Sequence, residues 1–255
     1  MPRQHWPSRL ARRTDRTRCT RTGSRQGADP RSVCSVLCLP GSSSAKASSS
    51  RPEISTIEDA IDALRAGQLV VYPTETFYGV AADPSSKSAL KRLFAIKGRD
   101  VKNTVAMIAA DTRSAFSLAR QVSPIARRRA ECFWPGPLTL VLPAGPQIAS
   151  ELVGASGGVG VRVSSHPTAR ALAAGLDRPI TATSANRAGE PPAKTLAEAR
   201  KALGKKVKVY LEGGTLGTSA PSTVLEVADT RWRIIREGAV SGGQIAAALA
   251  GEALE

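Results

Sequence analysis

The chain has 255 residues, the length of one large or two small domains, and its 36 Lys and Arg against 21 Asp and Glu give a net charge of +15. Such a balance looks for anions. A hydrophobic fraction of 42% can build a core, an aromatic fraction of 4% argues against stacking platforms for single-stranded nucleic acid, and no apolar run reaches the ~20 residues of a membrane-spanning helix.

Residues 1–51 hold 11 Lys and Arg against 2 Asp and Glu, a net +9, which leaves 25 against 19, a net +6, for residues 52–255. This leader has no hydrophobic periodicity, ends in the Ser-rich run 41–50 and is expected to be disordered. Three readings stay open for it: an organelle transit segment, a nucleic-acid-binding arm, or sequence translated from a start codon placed too early. A cytoplasmic location is expected, or a mitochondrial one if residues 1–51 are a transit segment. No membrane partner is expected.

From Ser55 the pattern is that of one α/β (α+β) domain over residues 52–255. Ser55-x-x-Glu58 predicts a capping box for a helix carrying Ile57, Ala60, Ile61 and Leu64, stopped by Gly67. Gln68 to Tyr72 predicts a buried strand, and helices are predicted after Ser86, Ser123-Pro124, His166-Pro167, Thr195 (with Glu198 completing a box) and Ser241. Further strands fit Thr104 to Ile108, Leu138 to Leu142, Val159 to Val163, Pro179 to Ala182, Val207 to Leu211, Thr223 to Val227 and Trp232 to Ile235. The irregular alternation implies a mixed sheet covered by helices.

Several chemistries fail on their own requirements. The two histidines, His5 and His166, and the four cysteines, Cys19, Cys34, Cys38 and Cys132, give no second ligand pair for Cys34-x3-Cys38 and no disulfide framework, so no protein-held metal is expected. Cys132 stands in an apolar stretch and is expected as a small buried side chain. Gly154-Ala155-Ser156-Gly157-Gly158 matches a nucleophile elbow, yet it runs into a strand and no acid separates Ser156 from His166, so it reads as a loop. Neither a P-loop nor a strand-linked dinucleotide fingerprint occurs.

Four polar clusters remain. Tyr72 to Gly79 packs hydroxyls, one carboxylate and a turn glycine at a strand end, either as a hydrogen-bonded turn or as a binding element. Lys97-Gly98-Arg99 ends a helix, where cations complement the dipole; the intervening glycine would also let both converge on one anion. Thr181 to Asn186 offers hydroxyl and amide groups beyond a short strand. The fourth runs from Glu212-Gly213-Gly214 through Ser222-Thr223 to Arg236-Glu237-Gly238. Cations and neutral donors without a nucleophile suit binding a polyphosphate beside a small polar molecule.

In order, Pro73-Thr74-Glu75-Thr76-x-Tyr78-Gly79, Lys97-x-Arg99, Phe133-Trp134-Pro135-Gly136-Pro137-Leu138-Thr139, Arg162 with His166-Pro167, Ser184-x-Asn186, Ser222-Thr223 and Arg236-x-Gly238 resemble the signature of the YrdC/TsaC/Sua family of threonylcarbamoyl-AMP synthases. The resemblance covers about residues 54–250. It implies a twisted mixed sheet around a large basic cavity. The reaction it implies joins L-threonine, bicarbonate and ATP, without any organic cofactor; from phosphate chemistry alone, Mg2+ is expected to accompany the ATP. A partner complex would use the product to make N6-threonylcarbamoyladenosine at position 37 of tRNA, and tRNA itself is a further partner class. Carried over by residue, Lys97 and Arg99 would be catalytic and would clamp the ATP phosphates. Asn103, Thr139, Ser184, Asn186 and Arg236 would join them on the nucleotide side, while Thr76, Arg162, Thr183 and Ser222 would hold threonine.

The chain also departs from the family pattern. Asp100 stands where the family usually has proline, and Thr104-Val105 replaces a common Pro-Leu or Gly-Leu pair, so the YciO sub-family stays open. The short stretch after Arg236 fits the single-domain type. Two other functions stay open: a non-catalytic module binding tRNA or double-stranded RNA in the same concavity, and a carbamoyl-transfer enzyme with another acceptor. An RNA module has no need of threonine-sized contacts such as Thr76 and Ser222.

Overall fold

Helix starts follow side chains that accept the first free backbone N–H groups. In the computed structural model, which describes residues 55–98, 105–217, 220–228 and 231–250, the first helix, α1 (Ile57–Arg65), is capped by Thr56. Thr56 accepts from the Asp59 N–H at 3.1 Å, and the Asp59 carboxylate accepts from the Thr56 N–H at 2.9 Å. The box therefore sits one residue later than Ser55-x-x-Glu58, because two overlapping boxes were available in the run Ser55 to Asp59 and the second is the one that closes.

The remaining elements follow in chain order. Strand β1 (Val70–Tyr72) and strand β2 (Gly79–Ala81) flank the first polar cluster, and helix α2 (Lys87–Lys97), capped by Ser86, ends at Gly98. Then come β3 (Ala106–Ala109), α3 (Thr112–Phe116), α4 (Pro124–Phe133), β4 (Leu138–Pro143), β5 (Gly158–Val163) and α5 (Pro167–Leu176). The chain closes with β6 (Ile180–Ser184), α6 (Leu196–Leu203), β7 (Val209–Tyr210), β8 (Thr223–Val227), β9 (Trp232–Arg236) and α7 (Gly242–Ala250). Among the described residues no helix is long and apolar enough to cross a membrane.

The nine strands form one mixed sheet in the order β7-β1-β2-β6-β3-β5-β4-β8-β9. The pairs β7–β1, β3–β5 and β4–β8 are parallel, and the others are antiparallel. Alternation along the strands sends side chains to two faces. On one face Leu138, Leu140 and Leu142 of β4 and Val159, Val161 and Val163 of β5 pack with Ala89, Leu90 and Leu93 of α2, Ala126 and Ala130 of α4, Ala199 and Leu203 of α6, and Ile245 of α7. On the other, Ala60, Ala63 and Leu64 of α1 and Ala169, Leu172 and Ala173 of α5 cover Val70, Tyr72, Ile108 and Ile180.

Helices α1 and α5 rest on β7, β1, β3 and β6. The same face continues across β5, β4 and β8 with Gly160, Arg162, Thr139 and Val224, and these residues line a cavity. The expected mixed α/β sheet is the observed one. Cys132 corrects its expectation: it is exposed, because α4 buries Ala126, Arg129 and Ala130, one stripe of the helix, and Cys132 lies off that stripe. Gly154 to Gly158 is a turn entering β5, closed by the Gly157 N–H donating to the Gly154 carbonyl at 2.9 Å.

Candidate active site

The cavity, about 310 Å³, has the sheet itself as its floor. Gly79, Ala106, Gly160 and Ala182 come from four different strands and leave the space that larger side chains would fill. Gly79 lies opposite Tyr72 in the β1–β2 register, and a Cβ there would stand 3.1 Å from the Tyr72 ring. Tyr72 is fully buried, donates its hydroxyl to the Thr181 carbonyl at 3.2 Å, and has its pKa pushed above the usual phenol range by burial.

The β1–β2 connection supplies one wall. The Thr74 hydroxyl donates to the Phe77 carbonyl at 2.7 Å and accepts from the Thr76 and Phe77 N–H groups at 3.2 and 3.3 Å, so Thr74 closes the turn. Thr76, 3.1 Å away hydroxyl to hydroxyl, lines the cavity. Between them Glu75 pairs with Arg162 of β5, Oε1 to a terminal guanidinium nitrogen, at 3.0 Å. The Ser164 hydroxyl donates to Glu75 Oε2.

A second polar group lies across the floor. The parallel β4–β8 register brings Ser222 beside Thr139, whose hydroxyl donates to the Ser222 hydroxyl at 3.1 Å. A bulge between Val224 and Leu225 sets Arg236 opposite Val224, and the Arg236 guanidinium donates to the Ser222 carbonyl at 2.7 Å. Thr223 points the other way. Its hydroxyl donates to the Val240 carbonyl at 2.5 Å and accepts from the Gly238 and Val240 N–H groups, which fastens the segment after Arg236 to β8.

The end of β6 supplies Thr183 and Ser184 to the cavity. Behind them Lys97 is 1% exposed, and its ammonium donates to the Ser184 carbonyl, the Asn186 carbonyl and Asn186 Oδ1 at 2.8, 2.7 and 2.8 Å. The Ser184 hydroxyl also donates to Asn186 Oδ1, at 2.5 Å. Gly98 follows with φ +54°, a left-handed cap that ends α2.

The ordered motifs and this fold meet in known proteins. A family model described as telomere recombination, the Sua5/YciO/YrdC domain, matches residues 62–238. The chain belongs to this family. The Sua5/YciO/YrdC relatives include the threonylcarbamoyl-AMP synthase of Thiobacillus denitrificans, 40% identical over 65% of this chain and 87% of that one, and that of Photobacterium profundum, 34% identical over 71% and 98%. Among solved structures, P. abyssi Sua5 complexed with L-threonine matches with a TM-score of 0.73 and 32% identity, covering 76% of this chain. The chain spans 57% of that structure's length. E. coli YciO matches with a TM-score of 0.65 and 28% identity over 72% of this chain and 89% of that one.

Of the family residues expected from the sequence, Thr76, Thr139, Arg162, Thr183, Ser184, Ser222 and Arg236 line one cavity. Lys97 and Asn186 stand behind its β6 wall rather than on its surface. Arg99 and Asn103 lie outside the described residues, which resume at Val105 on the cavity wall. Glu212-Gly213-Gly214 does not line the cavity but is held by Tyr78, which does: its hydroxyl accepts from the Gly213 N–H at 2.9 Å and donates to the Gly214 carbonyl at 2.8 Å. Burial raises the Tyr78 pKa. Sequence reasoning gave no role to Glu75, although it is the one carboxylate in a hydroxyl-rich segment.

Proposed function

We propose that the chain is a threonylcarbamoyl-AMP synthase, joining L-threonine, bicarbonate and ATP into threonylcarbamoyl-AMP and pyrophosphate. What carries this reading is one cavity lined by two arginines, Arg162 and Arg236, together with neutral hydroxyls of threonine-sized reach. Relatives bearing that name, and a P. abyssi relative complexed with L-threonine, support it. At about 310 Å³ the cavity is at the low end of the ~300–1,000 Å³ typical of small-molecule sites. It takes threonine and the reacting phosphate, and the rest of the nucleotide lies across its mouth.

Arg162, with Thr76, Thr183 and Ser222, takes the threonine carboxylate and hydroxyl. Arg236, Thr139 and Ser184, with Arg99 and Asn103, form the nucleotide side, and Lys97 and Asn186 back it from behind the β6 wall. The buried Lys97 ammonium fixes the Ser184–Asn186 turn and places a positive charge behind it. The threonine amine, deprotonated, attacks bicarbonate and water leaves, giving a carbamate. A carbamate oxygen then attacks the α-phosphorus of ATP, the bond to the bridging oxygen breaks, and pyrophosphate departs. Such steps need positioning and charge neutralisation rather than a protein nucleophile.

A magnesium ion would accompany the triphosphate, whose oxygens are hard donors suited to a hard cation, and would neutralise phosphate charge there. The product passes to proteins that transfer the threonylcarbamoyl group to adenosine 37 of tRNA, in the cytoplasm. The test is incubation of the purified chain with ATP, L-threonine and bicarbonate. Pyrophosphate release that requires all three is the expected result, and release independent of threonine contradicts the reading.

A further inference from the structure

We propose that Glu75 is a positioning residue for Arg162, holding the guanidinium in the orientation that receives the amino-acid carboxylate. The proposal rests on the threonine-binding role of Arg162 given above. Glu75 comes from the β1–β2 connection and Arg162 from the middle of the sheet, and their side chains are only 13% and 7% exposed. One Glu75 oxygen faces the guanidinium at 3.0 Å, and the other accepts from the Ser164 hydroxyl, on a residue that is fully buried.

Ser164 is itself fixed. Its hydroxyl accepts from the His166 N–H at 3.2 Å, and its carbonyl accepts from the Arg170 guanidinium at 2.6 Å. The carboxylate is thus anchored through Oε2 on the corner that opens α5, and its Oε1 faces Arg162 as an ion pair rather than a hydrogen bond. Taking both charges out of water has a cost that their attraction repays only in good geometry, so a buried pair is a poor device for stability alone. It is a good device for orientation. An arginine fork reads a carboxylate through paired, planar hydrogen bonds, and a fork already held at one end loses less freedom when substrate arrives.

Arg162, not Glu75, lines the cavity, so the carboxylate acts on the substrate only through the guanidinium it pairs with. The consequence is a selective one. Loss of the Glu75 charge loosens recognition of the carboxylate while leaving the hydroxyl contacts and the nucleotide side in place.

The test uses the full chain and compares binding of L-threonine with binding of L-threoninol, which lacks the carboxylate, by titration calorimetry. The unaltered protein is expected to favour threonine, and Glu75→Gln to reduce that preference tenfold or more through weaker threonine binding. In steady state the same variant raises the threonine KM at least tenfold with the ATP KM within twofold. Ser164→Ala, which removes only the anchoring hydroxyl, shifts the preference in the same direction by a smaller factor and decides the matter if Glu75→Gln does not fold. An unchanged preference in either folded variant, or equal rises in both KM values, overturns the proposal. Unaltered protein that binds no threonine contradicts the functional reading itself, and the positioning role falls with it.

Discussion

At the scale of the residue, the two arginines on the cavity wall differ in their surroundings. Arg162 is buried and paired with Glu75, whereas Arg236 is exposed and reaches back to the Ser222 carbonyl. Charged hydrogen bonds are worth about 1.5–3 kcal/mol each, so removing one bonding group costs roughly ten- to hundredfold. Arg162→Ala is therefore expected to raise the threonine KM by that factor with a smaller effect on ATP. Arg99→Ala is expected to lower the rate of threonylcarbamoyl-AMP formation by the same factor. Product formation by Arg99→Ala at the unaltered rate removes Arg99 from the phosphate clamp.

At the scale of the element, the start of α5 carries a cap that titrates. His166 caps the helix by accepting from the Thr168 N–H at Nδ1, 3.2 Å, which requires the neutral ring. Burial lowers the His166 pKa; the Glu75 charge opposes that shift and Arg170 adds to it. The folded state thus binds the proton less readily than the unfolded one. The stability carried by the neutral cap is complete above 6.5 and is lost as pH falls from there through the lowered value. Chemical denaturation between pH 7.5 and 5 is expected to show this loss, and His166→Asn, a good cap that does not titrate there, to flatten it. Losing the cap altogether costs about 1 kcal/mol.

The caps also explain what was legible beforehand. Ser86, Ser123-Pro124, His166-Pro167 and Thr195 with Glu198 each begin a helix where the sequence predicts one, since a cap is a local event written in adjacent residues. Strand β2 is different: Gly79, Val80 and Ala81 have no local pattern and exist by pairing with β1 on one side and β6 on the other. Helix α3 has five residues, too few for periodicity to register. The partnership of Ser164 with Glu75 spans 89 residues, and only the folded sheet brings them together.

At the scale of the whole molecule, the site exists because two helices cover one part of a sheet face and small residues leave room on the next. That floor was not legible: Gly79, Ala106, Gly160 and Ala182 are ordinary residues until β2, β3, β5 and β6 stand side by side. The charge was legible in part. Of the cations expected around the cavity, Arg162 and Arg236 line it, while Lys97 lies behind the wall. The +9 of residues 1–51 lies outside the family match at 62–238. A chain beginning at Arg51 is expected to unfold at the same temperature as the full chain, within a few degrees, and to keep its rate of pyrophosphate release; a tenfold loss gives the leader a part in the chemistry.

The central claim is that one cavity assembles threonine, bicarbonate and ATP. Its most direct measurement is mass spectrometry of the product formed from 13C-bicarbonate, L-threonine and ATP. The expected product is an AMP ester of threonylcarbamate carrying one labelled carbon, formed with an equal amount of pyrophosphate. ATP consumed without the labelled carbon appearing in an AMP ester contradicts the claim.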